Sequence, residues 1–412
     1  MSLNALAPEI ILDISNYVEH SDLRRLCMVS RRLMSTLQEI LYKVIELDET
    51  SLSADAFFAV VSGPRGRIVR HIRYKPRDPW PRQDIRHRPK VRLSNETCRA
   101  LESLDLFPSL ERFQFDLRDW NLSDWKDAPF SFSRWGFHKH HGPWHFEPWR
   151  VLIEGSLEAL TKSAGSFSQL ELNDLPPTRR EMYHTCEYLS DAWGSLLRGL
   201  ESFEISLAGV EDRGNGTITT AHQAFISLFP DMFLKYLNSV KFLRLTGTRD
   251  AIIGSEGFVE PIDWASLSLP LTSFELEYSH TSDDLIKFLF NHADKLEKIC
   301  LRNCIAPKKQ TWSNLIQVFL DKQPTQLVEF TIVSYPVRLR HGNPDYWQRA
   351  VMGSYDMLGE ATTDKMRRFV VGVASDRHRC IKPVEDSVED GDPELDESDV
   401  CNARRSIFLE MM

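Results

Sequence analysis

The sequence predicts an α+β or α/β chain: a short all-helical segment at the N-terminus, then a long, irregular array of strand–helix units. Two observations carry this expectation. Apolar residues recur at helical spacing through roughly the first fifty residues. Beyond them a short pattern, with apolar residues at its first, fourth and sixth positions, returns again and again through the middle of the chain.

The chain has 412 residues, 42% hydrophobic and 26% charged, the composition of a soluble folded protein with room for more than one compact unit. No apolar run reaches the roughly 18 residues that span a bilayer. The opening MSLNALAPEI has no basic leader followed by an apolar core, so secretion is not expected. Seven cysteines without a CxxC pair read as reduced thiols, which places the chain in the cytoplasm, the nucleus or both. The net charge of −9 is unevenly distributed. From Arg65 to Arg92 there are eleven Lys or Arg against Asp78 and Asp84, whereas Glu385 to Asp399 holds nine carboxylates and no base. The stretch from Glu385 to Asp399 has almost nothing to bury, and 381–412 is expected to be an acidic, disordered tail.

Within 2–47, three helices are expected. Pro8 suits a first helical turn, where its missing N–H costs nothing, and Ile10, Ile11, Ile14 and Val18 follow at helical spacing. Ser21 is a candidate N-cap for a second helix with Leu23, Leu26 and Cys27, and Ser30 for a third with Leu33, Leu37, Ile40 and Leu41. A unit of this size sits near the lower limit for independent folding. Leu6, Pro8, Ile10, Ile14, Leu23, Leu26, Val29 and Leu33 are too many for one tiny core, so some are expected to meet a partner.

Leu6, Pro8, Glu9, Ile10 and Ile14 form L-x-P-E-I-x-x-x-I. Asp22, Leu23, Leu26, Val29, Ser30 and Arg31 form D-L-x-x-L-x-x-V-S-R, and Leu41-Tyr42 follows. This ordered set resembles an F-box. The resemblance covers about one tenth of the chain. It implies docking to a Skp-family adaptor, and through it to a cullin and a RING subunit. Leu6, Pro8, Glu9, Ile10, Ile14, Leu23, Leu26, Val29 and Leu33 would be the contact residues. The alternative is a helical cap on the array that follows.

The repeated pattern L-x-x-φ-x-φ appears as Leu110/Phe113/Phe115, Phe167/Leu170/Leu172, Leu200/Phe203/Ile205 and Val240/Leu243/Leu245. It continues as Leu271/Phe274/Leu276, Leu296/Ile299/Leu301 and Leu327/Phe330/Ile332, with Val69/Ile72/Tyr74 as an earlier copy. Its end alternates apolar with polar residues, as a strand with one buried face does. Helical patterns lie between copies: Cys186, Leu189, Trp193, Leu196 and Leu197; Phe225, Ile226 and Phe229 after Thr219 or Thr220; Leu285, Ile286 and Leu289 after Ser282; Trp312, Leu315, Ile316, Phe319 and Leu320. A last helix and strand are expected at Tyr346–Leu358 and Arg368–Val373. Strand then helix, repeated, is similar to a leucine-rich-repeat array, and Cys304 falls where that consensus takes Asn or Cys. From Leu110 onward the copies start 57, 33, 40, 31, 25 and 31 residues apart, so the array over 48–380 is expected to be degenerate and rich in insertions. A doubly wound α/β domain is the alternative.

Such an array turns the polar residues between its buried ones toward one concave face, a surface repeat proteins use for binding. Arg112, Gln114, Glu204, Arg244, Glu275, Lys298, Cys300 and Arg302 are the substrate-binding candidates there. The insertion 118–150 holds five Trp (120, 125, 135, 144 and 149) together with His138, His140, His141 and His145. His140 and His145 match no helix face and have no cysteine nearby, so no metal is assigned. No P-loop, GxSxG or HExxH occurs, and neither a catalytic residue nor a cofactor is assigned. The expected function is a non-catalytic adaptor that brings a protein substrate to a ubiquitin ligase. The alternatives are a stand-alone repeat scaffold and, more weakly, a nucleic-acid or acidic-ligand binder acting through residues 65–92.

Overall fold

A computed structural model of the chain describes residues 6–15, 17–18, 20–77, 93–120, 148–176, 191–208, 220–248, 253, 262–304, 309–322 and 324–333. Most of the basic stretch 65–92, nearly all of the insertion 118–150, the expected elements at 346–358 and 368–373, and the acidic tail lie outside these residues.

Three helices come first: α1 (Pro8–Ser15), α2 (His20–Val29) and α3 (Arg31–Lys43). The start of α1 at Pro8 and the cap of α3 follow the expectation, with the Ser30 hydroxyl accepting from the Leu33 N–H at 3.1 Å. α2 begins at His20, so Ser21, expected just ahead of it, lies within its first turn. With no intervening residue, α3 passes into β1 (Val44–Leu47). That strand was not expected, since the whole of 2–47 read as helical. Ile45 and Leu47 give it the alternation of a strand, but over only four residues.

Strands and helices then alternate as α4 (Ser51–Val61), β2 (His71–Tyr74), α5 (Asn95–Glu102), β3 (Arg112–Asp116), α6 (Pro148–Thr161) and β4 (Gln169–Leu175). They continue as α7 (Asp191–Arg198), β5 (Ser202–Leu207), α8 (Thr220–Met232), β6 (Phe242–Thr246), β7 (Ser273–Glu277), α9 (Asp283–His292), β8 (Lys298–Arg302), α10 (Lys309–Lys322) and β9 (Glu329–Val333). The nine strands form one parallel sheet whose order follows the chain from β1 to β9, an α/β architecture. A doubly wound sheet reverses its strand order at a switch point. Here the order never reverses, so that alternative falls. The described residues divide into two compact units, one of 6–120, 148–172 and 191–199 and one of 173–176 and 200–333.

Every copy of the repeated motif lies on or beside a strand, and all three of its apolar residues are buried in all eight copies. In the second unit the copies stand in register: Phe203 beside Leu243, Leu243 beside Phe274, Phe274 beside Ile299 and Ile299 beside Phe330. Helix and loop aromatics cover this apolar face. Phe203 stacks on Phe233, Phe274 meets Trp264 and Phe288, and Phe330 meets Phe319. In the first unit, Ile72 pairs with Phe113, and Tyr74 stacks on Phe115 with its hydroxyl accepting from Ser156 at 3.1 Å. Trp120, the first tryptophan of the insertion, is buried there, and its indole N–H donates to the Pro76 carbonyl at 2.8 Å.

A backbone device sets the register. The turns entering β3, β4 and β6 to β9 each donate two successive N–H groups to one carbonyl of an earlier turn. In the second unit Lys241 and Phe242 donate to Glu201, Thr272 and Ser273 to Lys241, Glu297 and Lys298 to Thr272, and Val328 and Glu329 to Glu297. Glu111 and Arg112 donate likewise to Arg70 in the first unit. These bonds satisfy polar groups that would otherwise be stranded at the edge of the core. Cys304 adds a side-chain version, its thiol 3.4 Å from the Leu276 carbonyl, and burial pushes that thiol up to about 12.

Shortening Phe274 to Ala should therefore destabilise the chain by about 3–5 kcal/mol in denaturant unfolding. Glu204→Ala, on the opposite and half-exposed side of the sheet, should cost less than about 1 kcal/mol.

Candidate partner-docking site

The three N-terminal helices close around a core of their own. Ile11, Leu23, Cys27, Leu33 and Leu37 are buried in it, with Leu6, Val18, Leu26, Met34, Ile40 and Leu41 packed against them. The guanidinium of Arg32 donates to the Leu6 carbonyl at 2.6 Å and holds the entering chain against α3. The segment joins the sheet where α3 runs into β1, where the Arg70 N–H donates to Lys43 O at 3.0 Å, and where Arg65 stacks over the Tyr42 ring.

That core leaves large apolar side chains uncovered. Ile10 is 47% exposed, Ile14 37% and Tyr17 92%, and they follow one another at i, i+4 and i+7, one stripe along α1 and the turn after it. At the end of α2, Met28 is 85% exposed and Val29 69%, while Leu12 is 37% exposed on α1. Isolated exposed aliphatic residues need no explanation, but several within so small a segment make it a candidate interaction surface.

The nine expected contact residues divide accordingly. Pro8, Glu9, Ile10, Ile14 and Val29 are exposed, and Leu6 and Leu26 are half-buried against the core. Leu23 and Leu33 are corrected: both are buried where α2 and α3 pack together, so neither presents a surface to a partner. Leu12, Tyr17 and Met28 had not been singled out. Helical spacing from Ile10 and Ile14 points to Tyr17, whereas Met28 carries no signal beyond its place next to Val29.

The second candidate surface is the polar side of the strands. In the second unit Arg244 lies between Glu204 at 3.7 Å and Glu275 at 3.6 Å. Glu275 also faces Lys298 at 3.0 Å and Arg302 at 3.9 Å, and Lys298 reaches Glu329 at 3.3 Å. Glu275 is thus nearly enclosed by three cations. Burial works against the Lys298 ammonium, but its hydrogen bond to Glu275 and the charges of Glu275 and Glu329 outweigh that and hold it above the ordinary lysine value. Cys300, expected to face a ligand, is instead buried, and burial raises its thiol pKa. Its register neighbours are Glu275 and Thr331, both buried as well, and Lys298 and Arg302 flank it on its own strand.

In the first unit Arg112 pairs with Glu171, and Gln114 accepts from the Arg73 guanidinium at 3.0 Å. Gln114, also expected to face outward, is buried beneath these longer arms. His71 sits beside them with Nε2 buried and no partner for it among the described residues. Burial, then the charges of Arg112 and Arg73, lowers its pKa to about 4.

His140 and His145 lie outside the described residues, and among those described no group of three or more His, Cys, Asp or Glu could hold a metal ion. No described helix is long and apolar enough to cross a membrane. Compared with known proteins, the chain matches no family model and no curated sequence.

Glu275→Ala leaves three cations facing one another and should lower stability by about 1–3 kcal/mol, more than Glu204→Ala. His71 stays neutral in the folded chain at pH values where an unfolded histidine is already protonated. The unfolded state therefore binds more protons between about pH 6.5 and 4, and stability falls as pH drops through that window. Melting temperatures at pH 7.5 and pH 5 should differ less in His71→Gln than in the unaltered chain.

Proposed function

We propose that this chain is the substrate-recognition subunit of a Skp–cullin–F-box ubiquitin ligase. On this reading the three N-terminal helices are an F-box that docks a Skp-family adaptor. The strand–helix units are a degenerate leucine-rich-repeat-like array that holds a protein substrate. The chain supplies proximity, and ubiquitin transfer belongs to the cullin-bound RING subunit and the conjugating enzyme it recruits.

The observation that carries this reading is the uncovered stripe of Ile10, Ile14 and Tyr17, with Met28 and Val29, on a helical segment that already has a filled core. Each aliphatic or aromatic group transferred from water into an interface contributes about 1.5–3 kcal/mol, so a few of them suffice for a stable complex. The array supports the second half of the reading: eight copies of one motif bury the same three positions on parallel strands that follow chain order. The run from α3 into β1 without a linker would carry a docked adaptor's position to the sheet with little angular freedom. On the polar side, Glu204, Arg244, Glu275, Lys298 and Arg302 already compensate one another. A substrate bound there would be read through hydrogen bonds and shape more than through a single charge.

Purified full-length chain should bind a purified Skp-family adaptor. Ile10→Asp/Ile14→Asp should weaken the complex at least about 100-fold, with an unchanged circular dichroism spectrum. Undiminished binding by that variant would remove α1 from the interface. A chain that stays monomeric and ignores every Skp-family adaptor would leave a stand-alone scaffold.

A further inference from the structure

We infer that the end of α2 reads charge, and that the partner it fits is a protein whose contact rim carries carboxylates. The inference rests on the docking role proposed above and adds to it the electrostatic character of the partner. On α2, Arg24 precedes Met28 by four residues and Arg25 precedes Val29 by four, so each exposed apolar side chain has an arginine one turn before it. Arg31, also exposed, opens α3 just beyond. From residue 20 to 32 the sequence holds four arginines and one carboxylate, Asp22, within a chain whose net charge is −9.

The arginines are not equally engaged. Arg25 pairs with Asp22 at 2.8 Å, and Arg32 is held by the Leu6 carbonyl. Arg24 and Arg31 have no carboxylate partner among the described residues. Arg24 also lines a cavity of about 480 Å³ with Glu46, Asp48, Lys75, Arg77 and Asp119. The other cations of that lining are matched, Lys75 to Asp119 at 2.6 Å and Arg77 to Asp48 at 3.2 Å, and its third carboxylate, Glu46, pairs with Arg73 at 3.3 Å, so no ion pair engages Arg24 there. A carboxylate arriving beside Met28 would meet a planar two-pronged donor, and the aliphatic contact next to it would exclude water and strengthen the pair. A bare polyanion fits less well. Exposed Glu9 and Asp13 on α1 repel nucleic acid or an anionic membrane, and phosphates make no use of Met28 and Val29.

The test measures association of the full-length chain with a purified Skp-family adaptor at about 0.05 M and 0.5 M salt. Arg24→Glu/Arg31→Glu should slow association about tenfold at low salt and hardly at all at high salt. Arg24→Lys/Arg31→Lys should keep most of the rate, and Ile10→Ala/Ile14→Ala should weaken the complex equally at both salts. A charge-reversed variant that associates like the unaltered chain at low salt, while still folded by its melting curve, overturns the inference and leaves the docking role standing. Absence of adaptor binding by the unaltered chain at either salt overturns both. Capture by phosphatidylserine vesicles or by a DNA duplex without adaptor binding reassigns the patch to a polyanion and overturns the inference as well.

Discussion

Each strand of this chain carries apolar side chains on one side that its own unit cannot cover, and that constraint organises everything beyond the first helices. Leu243 is out of water because Phe203 and Phe274 flank it in register, and the same holds along the second unit to Phe330. The paired backbone N–H groups that donate to the Glu201, Lys241, Thr272 and Glu297 carbonyls favour this register, because a slipped strand would strand two N–H groups at the edge of the core. Stability in such a stack is a sum of neighbour interfaces, so the spacing between copies can vary widely while the strands stay aligned. The insertions vary, and the three buried positions do not.

The opposite side of the sheet obeys a different rule. Charges at neighbouring register positions compensate one another, and Gln114 and Cys300 among them are buried. The N-terminal helices differ again. Their core is complete with Ile11, Leu23, Cys27, Leu33 and Leu37, so further apolar residues have no place inside. Outward-facing Ile10, Ile14, Tyr17, Met28 and Val29 are a consequence of size: so short a segment has too little interior to hide them.

Much of this was legible in the sequence because the relevant signals are local. The L-x-x-φ-x-φ copies located β2 through β9, since alternation and burial coincide in a strand with one covered face. Ser30 and Ser282 announced their helices, with the Ser282 hydroxyl accepting from the Leu285 N–H at 3.2 Å. What failed was what depends on neighbours. Sequence could count the surplus of apolar residues in the first helices. It could not say that Leu23 and Leu33 would be consumed by the core while Met28 and Tyr17 would be left out, because that follows from how α2 and α3 cross. Burial of Gln114 and Cys300 likewise depends on which residues of other strands stand beside them, Arg73 for Gln114 and Glu275 and Thr331 for Cys300. β1 escaped notice because four residues are too few for periodicity to distinguish a strand from the end of a helix.

The central claim is that the first helices own apolar surface which another protein covers. Amide hydrogen exchange on the full-length chain, with and without a purified Skp-family adaptor, reads that surface directly. The account predicts slowing of about tenfold or more across α1 and α2, with little change in β5–β9. Exchange in α1 and α2 that is the same with and without adaptor at saturating concentration would contradict it.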